Sequence, residues 1–249
     1  MIQPSNGAGL SFACSIAFAL LAFATPSQGQ PISSSVQRIA SFVMMKELPS
    51  WTPGKPEKSR RVLIREDGSG QVVEVVDNKV ISLANFSYPA ASSTLFPIDQ
   101  YFALKDSYAT PAVPGLIVEG RGDKTVFVMH ANGRSKFISA ENELLPPELI
   151  ELRQKLPTSS GAKTGSFISV SLLTESAAAN LRGASTLRTA TPATIKKFPE
   201  LKEAFSSPYK FVALTPEKWK GLLATLKLNP SAAFVKTATG NIVRIEFYQ

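Results

Sequence analysis

Two runs with the apolar spacing of β-strands, residues 125–130 and 135–139, flank Asn132 and Gly133. Asn-Gly is typical of a two-residue hairpin turn, because both central positions of a type I′ turn need positive φ. Apolar side chains then fall on both faces of the hairpin, so we expect a strand pair that is covered on both sides. The turn predicts this register across the strands: His130 with Ser135, Val128 with Phe137 and Phe127 with Ile138.

A helix is predicted directly after this hairpin. Pro146 and Pro147 fit its first turn, where the backbone N–H that proline lacks would have no partner anyway. Leu149, Leu152 and Leu156 then share one helical face. We expect the helix to dock on the sheet through this face.

Similar patterns predict the remaining elements and the fold class. Strands are predicted at residues 36–45, 62–65, 71–76, 80–83, 167–173, 209–214, 232–237 and 242–248. Helices are predicted at residues 98–104, 175–182 and 199–205 and after the cap-and-proline pairs Thr191-Pro192 and Thr215-Pro216. The predicted fold class is therefore α+β, with antiparallel β-hairpins backed by short helices and arranged in two subdomains.

The last predicted strand alternates strictly between apolar and polar residues. Val243, Ile245 and Phe247 point one way, whereas Arg244 and Glu246 point the other way. This alternation is typical of a half-buried antiparallel strand.

The first 24 residues have the pattern of a cleaved signal peptide. An apolar run from Leu10 to Ala24 has the length of a signal-peptide core and is shorter than the ~20 residues of a membrane-spanning helix. Cleavage is expected after Ala24 or after Gly29. No Lys or Arg precedes the run, which leaves an uncleaved anchor or a buried helix as the alternative. We expect a secreted or periplasmic protein with no transmembrane span in the mature chain.

Composition divides the chain into five parts. A Ser/Gly/Thr-rich stretch at residues 158–166 is the predicted linker. The complete prediction is a signal peptide at 1–24, a flexible leader at 25–36, a β-rich domain at 37–157 with an aromatic and proline-rich insertion at 84–115, the linker at 158–166, and a basic α+β domain at 167–249.

The aromatic insertion is a candidate ligand-binding loop. Long loops of this kind often cover a core or bind a ligand, and tyrosine rings stack on sugars and proline-rich peptides. The alternative is that the rings fill the core from one side. The candidate ligand contacts are Tyr88, Tyr101, Phe102 and Tyr108.

The formal net charge of +8 is unevenly distributed along the chain. Residues 31–150 carry 13 Lys and Arg against 13 Asp and Glu, whereas residues 151–249 carry 14 against 6. Such an excess favours anionic partners, which in a cell envelope are lipid head groups, acidic polysaccharide or an acidic protein. An exported chain disfavours nucleic acid, and solubility alone is the alternative role. The candidate anion contacts are Lys196, Lys197, Lys218 and Lys220.

A second basic group precedes the first predicted hairpin. Its members are Lys55, Lys58, Arg60 and Arg61. We interpret this group as a solvated face.

The scarcity of histidine and cysteine disfavours several catalytic classes. His130 is the only histidine, and Cys14, within the predicted signal peptide, is the only cysteine. A zinc site needs several such ligands, and a Ser-His-Asp triad would have to use a histidine beside a hairpin turn. We interpret His130 as structural. Neither a phosphate-binding loop nor a dinucleotide-binding motif occurs, so no catalytic residue, cofactor or metal site is predicted.

These observations favour an exported, non-enzymatic binding or envelope-accessory protein whose cationic C-terminal third contacts anionic envelope components or another envelope protein. One alternative is a carboxylate-dependent hydrolase of cell-wall polysaccharide, which would gather acidic residues in one cleft. Its candidate pairs are Glu66 with Asp67 and Glu141 with Glu143. The other alternative is a structural domain of a larger envelope assembly, which would expose a large apolar patch.

Overall fold

The computed structural model describes most of the chain beyond its first 38 residues. The described residues are 39–50, 52–87, 98–110, 122–157, 165–182, 184, 187–230 and 233–249. Contacts divide the chain into Met1–Ser35 and Val36–Gln249, and every described residue belongs to the second unit. The predicted signal peptide and leader lie outside the described residues, as does the predicted linker apart from Gly165 and Ser166. Those boundaries therefore stay predictions.

The first sheet is built from the N-terminal part of the described chain and has the strand order β4-β3-β2-β1-β6-β7-β5. All neighbours in it are antiparallel except β5 and β7, which run parallel. Its strands are β1 (Phe42–Leu48), β2 (Lys58–Arg65), β3 (Ser69–Val76), β4 (Lys79–Ser87), β5 (Ser107–Tyr108), β6 (Lys124–Ala131) and β7 (Arg134–Glu141).

The second sheet is built from the C-terminal part and has the order β10-β8-β12-β11-β9. Here only β9 and β11 run parallel. Its strands are β8 (Phe167–Leu172), β9 (Arg188–Thr189), β10 (Phe211–Ala213), β11 (Ala233–Lys236) and β12 (Ile242–Tyr248). The α+β class with β-hairpins is confirmed, since two mixed sheets are accompanied by several short helices.

The helices in the described part of the chain are short, and none is long and apolar enough to cross a membrane. They are α1 (Ile98–Phe102), α2 (Pro147–Lys155), α3 (Glu175–Leu181), α4 (Pro192–Lys197), α5 (Glu200–Ser206) and α6 (Pro216–Leu226), with a 3-10 turn at Asn142–Leu144.

The hairpin formed by β6 and β7 has the register that the sequence predicts. Asn132 and Gly133 both have positive φ, 52° and 75°, as a type I′ turn requires. Val128 pairs with Phe137 and Phe127 pairs with Ile138. The hairpin is covered on both faces, because Val128 and Phe127 belong to two different core clusters.

One face of the first sheet packs against α2. Leu149, Leu152 and Leu156 are buried here in a core cluster that also contains Val43 and Met45 of β1. The predicted docking of this helix through its leucine face is confirmed.

The other face of the first sheet packs against the second sheet. Two core clusters contain residues of both sheets, and the rings of Phe42 and Tyr209 lie 5.6 Å apart between them. Gln71 of β3 reaches across this layer: its side-chain oxygen accepts from Phe211 N at 2.7 Å, and its amide nitrogen donates to Phe211 O at 3.3 Å. A buried glutamine thus links the two sheets through backbone groups.

Helices α4 to α6 cover the outer face of the second sheet. The Trp219 ring of α6 stacks on Phe247 of β12 at 5.3 Å, and Leu201 and Leu222 are fully buried in the same cluster. Thr191 caps α4 in a capping box with Thr194, as the cap-and-proline pattern predicts.

Several predicted strands differ from the observed ones. The strands predicted at 62–65 and 80–83 are longer and span Lys58–Arg65 and Lys79–Ser87. Two others have misplaced ends. The strand predicted at 36–45 instead spans Phe42–Leu48, so it begins later and continues through Lys46 and Glu47. The strand predicted at 209–214 is confined to Phe211–Ala213, because Tyr209 has a positive φ of 68°. The apolar content of these two segments predicted their strand ends wrongly, because the pairing of strands and the backbone conformation decide where a strand begins and ends.

Candidate functional site

The aromatic candidates of the insertion lie on the side of the first sheet that α2 covers. Tyr101 is 4% exposed and belongs to the core cluster there, while Phe102 and Tyr108 pack against it. The Phe102 ring lies 4.6 Å from the Arg134 guanidinium, and the Tyr108 hydroxyl accepts from Lys105 N. Tyr88 lies outside the described residues. The three described rings thus contribute to the cover of the core, which is the alternative role that the sequence left open.

The four candidate lysines lie on two helices of the outer helical layer. Lys196 and Lys197 end α4, and Lys218 and Lys220 lie on α6. The Lys197 ammonium donates to Thr225 of α6 at 3.0 Å, which ties the two helices to each other. Lys218 pairs with Glu200 of α5. All four residues are exposed, and we call them the helical lysine group.

The interpretation of Lys55, Lys58, Arg60 and Arg61 as a solvated face is wrong for the two arginines. Arg60 is partly buried and pairs with Glu47 at 2.7 Å. Arg61 is only 7% exposed, because it lies on β2 between the two sheets. Strand alternation sends these neighbours to opposite faces of the first sheet, and both faces are covered.

Arg61 is the centre of a charged cluster between the sheets. Its guanidinium donates to the Tyr248 hydroxyl at 2.6 Å and lies 3.8 Å from Glu246. Glu246 also accepts from the Tyr248 hydroxyl at 3.0 Å and pairs with Arg244 at 3.2 Å. Lys46 of β1 sits directly opposite Arg61 in the strand ladder. These five residues, Lys46, Arg61, Arg244, Glu246 and Tyr248, form what we call the interlayer cluster.

The environment of the interlayer cluster disfavours charge on Lys46. Burial lowers the pKa of Lys46 below its ordinary value, and the facing Arg61 lowers it further, whereas Glu246 and Glu57 act in the opposite sense. Burial also raises the pKa of Tyr248 to about 12, so its hydroxyl stays protonated and can donate to Glu246. The cluster thus contains three basic side chains and one carboxylate, together with several hydrogen-bond donors.

Two polar atoms beside this cluster are buried without a hydrogen-bond partner among the described residues. One is Arg61 Nε, and the other is Ser169 Oγ. Ser169 is fully buried and faces Glu246 in the ladder of the second sheet. A buried donor or hydroxyl without a partner costs about 1–3 kcal/mol. Arg60 Nε and Glu200 Oε2, which lie outside the cluster, are also buried without a partner among the described residues.

A separate cleft of about 600 Å³ opens between β7 and the segment joining β8 to α3. Ion pairs stand on its rim: Lys136 with Asp106 at 2.5 Å and Arg182 with Glu175 at 2.6 Å. His130 also lines this cleft. Its ring is 5% exposed, stacks on Phe42 at 5.5 Å and lies with Nδ1 2.9 Å from Ser135 Oγ. Stacking and hydrogen bonding fix this ring in the cross-strand position that the sequence predicts.

The carboxylates proposed for a hydrolase lie at opposite ends of the first sheet. Glu66 and Asp67 follow β2, and Asp67 accepts from both the backbone and the hydroxyl of Ser69. Glu141 ends β7 and accepts from the backbone and hydroxyl of Thr110. The two candidate pairs therefore lie apart from each other, and whether either pair acts alone stays a prediction. Within the described ranges, no group of three His, Cys, Asp or Glu side chains is placed to hold a metal ion.

Comparison with known proteins gives no relative for this chain: no family model, curated protein or solved structure matches it.

The interlayer cluster is not predicted from the sequence, although two local signals point to it. Lys46 follows the apolar run Phe42–Met45 within one strand, and Arg61 precedes the apolar run Val62–Ile64 within another. A charged residue in a strand that is covered on both faces needs a partner. What no local pattern shows is that the polar face of β12 meets these two residues.

Proposed function

We propose that this protein is an exported, non-enzymatic binding protein that contacts an anionic component of the cell envelope through the helical lysine group. The observation that carries the proposal is that Lys196, Lys197, Lys218 and Lys220 are all exposed on two helices joined by a hydrogen bond. Exposed ammonium groups on one helical layer raise the local concentration of anions, and Glu200 pairs with only one of the four.

The charge distribution of the chain supports this proposal. Residues 151–249 supply the whole excess of positive charge, 14 basic against 6 acidic residues. Flexible lysines suit a surface of many weakly specific anionic groups better than a single shaped ligand, since each ammonium acts as a point charge.

Binding of the full-length chain to vesicles tests the proposal. We expect sedimentation with vesicles of anionic phospholipid and none with zwitterionic vesicles. Juxtamembrane basic residues contribute about 1 kcal/mol each, so the double variant Lys196→Glu/Lys197→Glu should bind at least about tenfold more weakly. The matched control is Lys58→Glu/Lys79→Glu, which makes the same charge change at exposed positions of the first sheet.

Equal binding by the two double variants would contradict the role of the helical lysine group. A parallel measurement with an acidic polysaccharide identifies the component: tighter binding to the polysaccharide than to the vesicles would assign the polysaccharide as the anionic partner.

Export is tested separately by fractionation of the native protein and mass spectrometry of its N-terminus. A mature start at Thr25 or Gln30 in an envelope fraction is the expected result. An intact Met1 in the cytoplasm would contradict export and would favour acidic cytoplasmic partners instead.

A further inference from the structure

The interlayer cluster holds more positive than negative charge. Lys46, Arg61 and Arg244 are cations, and among the described residues only the Glu246 carboxylate lies in contact with the guanidinium groups. Glu57 influences Lys46 from an exposed position at the flank of the cluster. Like charges directly opposite each other in a strand ladder destabilise a sheet, and Lys46 and Arg61 are such a pair.

Two hydrogen-bond donors of the cluster also lack an acceptor among the described residues. Among the described residues, no acceptor lies within hydrogen-bonding distance of the Lys46 ammonium, and Arg61 Nε is buried without a partner. Arg61 itself is held in place, because its guanidinium lies 5.3 Å from the ring centres of both Phe211 and Tyr248. A guanidinium fixed between two rings is preorganised to interact with an anion.

Solvent can reach one side of this cluster. The Arg244 side chain is 49% exposed and that of Glu246 is 24% exposed. Lys46 is partly buried and faces the buried Arg61 in the strand ladder. An anion entering from the rim would meet Arg244 and Lys46 first, with the charge of Arg61 behind them.

We propose that the interlayer cluster is a binding site for a phosphate-type oxyanion, with Lys46 and Arg244 as its direct contacts and Arg61 as a supporting charge. Phosphate carries about −1.5 to −2 charge at pH 7 and presents strong acceptor oxygens. This charge neutralises the excess of the three cations over Glu246. Charge-assisted hydrogen bonds from ammonium and guanidinium groups are the strong kind, which suits a small anion.

This site differs from the helical lysine group in the type of ligand. The helical lysines are exposed on an outer helical layer, whereas the interlayer cluster lies between the two sheets and is exposed on the side of Arg244. The proposal does not depend on the function proposed above, and the two can fail separately.

Titration of the full-length chain with inorganic phosphate tests the site. Calorimetry and thermal unfolding are measured against chloride at matched ionic strength. We expect phosphate to bind and to raise Tm, because a ligand of the native state stabilises it. Lys46→Met keeps most of the side-chain stem, and we expect it to weaken phosphate binding at least tenfold. Lys79→Met, an exposed lysine at the start of β4, is the control and should bind like the wild type.

A second readout separates a binding role from a structural one. Without phosphate, Lys46→Met should have a higher Tm than the wild type, because it removes the repulsion from Arg61. With phosphate, the Tm of the wild type should rise to that of Lys46→Met. If Lys46→Met proves too unstable to study, Arg244→Gln at the half-exposed rim replaces it and should lose phosphate binding in the same way.

Three results would overturn the proposal. The first is no phosphate effect beyond that of chloride. The second is equal phosphate binding by Lys46→Met and Lys79→Met. The third is loss of phosphate binding in Lys196→Glu/Lys197→Glu but not in Lys46→Met, which would assign the anion to the helical lysine group.

A further experiment uses vesicles that carry phosphomonoester lipids. Tighter binding to these vesicles than to inorganic phosphate, with the same loss of binding in Lys46→Met, would identify a lipid head group as the source of the anion.

Discussion

A lysine that faces an arginine in a covered strand ladder is the most informative feature at the scale of single residues. Lys46 and Arg61 share one face of the first sheet, and burial lowers the pKa of Lys46. Folding places these cations between the sheets although apolar residues would fill the same volume at lower cost. We therefore attribute the pair to ligand binding and not to stability.

Buried tyrosines give a prediction about alkaline pH. Burial raises the pKa of Tyr248 from 10.0 to about 12, and it raises the pKa of Tyr209 in the same sense. The native state then keeps these protons while the unfolded chain releases them. Their contribution to stability is complete below pH 10 and is lost as the pH rises toward 12. The free energy of unfolding should fall across this range.

Chemical denaturation at several pH values measures this dependence. Tyr248→Phe should reduce the slope of the unfolding free energy against pH, because it removes a proton that the native state retains. A slope that is the same in Tyr248→Phe and in the wild type would show that the proton of Tyr248 is not retained on folding.

At the scale of elements, the β6–β7 hairpin depends on its turn. Gly133 has a φ of 75°, a left-handed conformation that disfavours residues with a Cβ atom. Gly133→Ala should therefore lower the free energy of unfolding by about 1 kcal/mol. Gly122→Ala is the matched control, because its added Cβ would meet no atom within 4 Å and no positive φ constrains it. Equal stability of the two variants in urea unfolding would contradict the turn assignment.

Some features of the helices and strands can be predicted from neighbouring residues in the sequence, and others cannot. The register of the β6–β7 hairpin, the docking face of α2 and the caps of α4 and α6 follow from neighbouring residues, and the structure confirms each of them. The burial of Arg61 does not follow in this way, because it depends on contacts with Tyr248, which lies 187 positions away in the chain. The candidate site was missed for this reason, while most of its strands were predicted.

At the scale of the whole molecule, Gln71 links the two sheets. Its side chain satisfies both the N–H and the C=O of Phe211 within a buried layer. Gln71→Leu would leave these two backbone groups unpaired, and each buried unpaired group costs about 1–3 kcal/mol. We expect a loss of about 2 kcal/mol or more in the free energy of unfolding.

The form of the unfolding transition tests the link between the sheets. Residues 36–249 form one compact unit, so the wild type should unfold in a single transition with coincident fluorescence and circular dichroism curves. Gln71→Leu should shift this transition, and Asn85→Leu, which removes another partner of the Gln71 amide at the sheet edge, should shift it less. Two separate wild-type transitions would show that the sheets fold independently.

Lysine labelling with and without anionic vesicles tests the proposed function most directly. The full-length chain is acetylated under limiting conditions, and mass spectrometry measures the modification of each lysine. We expect vesicles to protect Lys196, Lys197 and Lys220, while Lys58 and Lys79 on the first sheet react equally in both samples. Unchanged labelling of the helical lysines beside protected lysines of the first sheet would contradict it and would place the binding surface elsewhere.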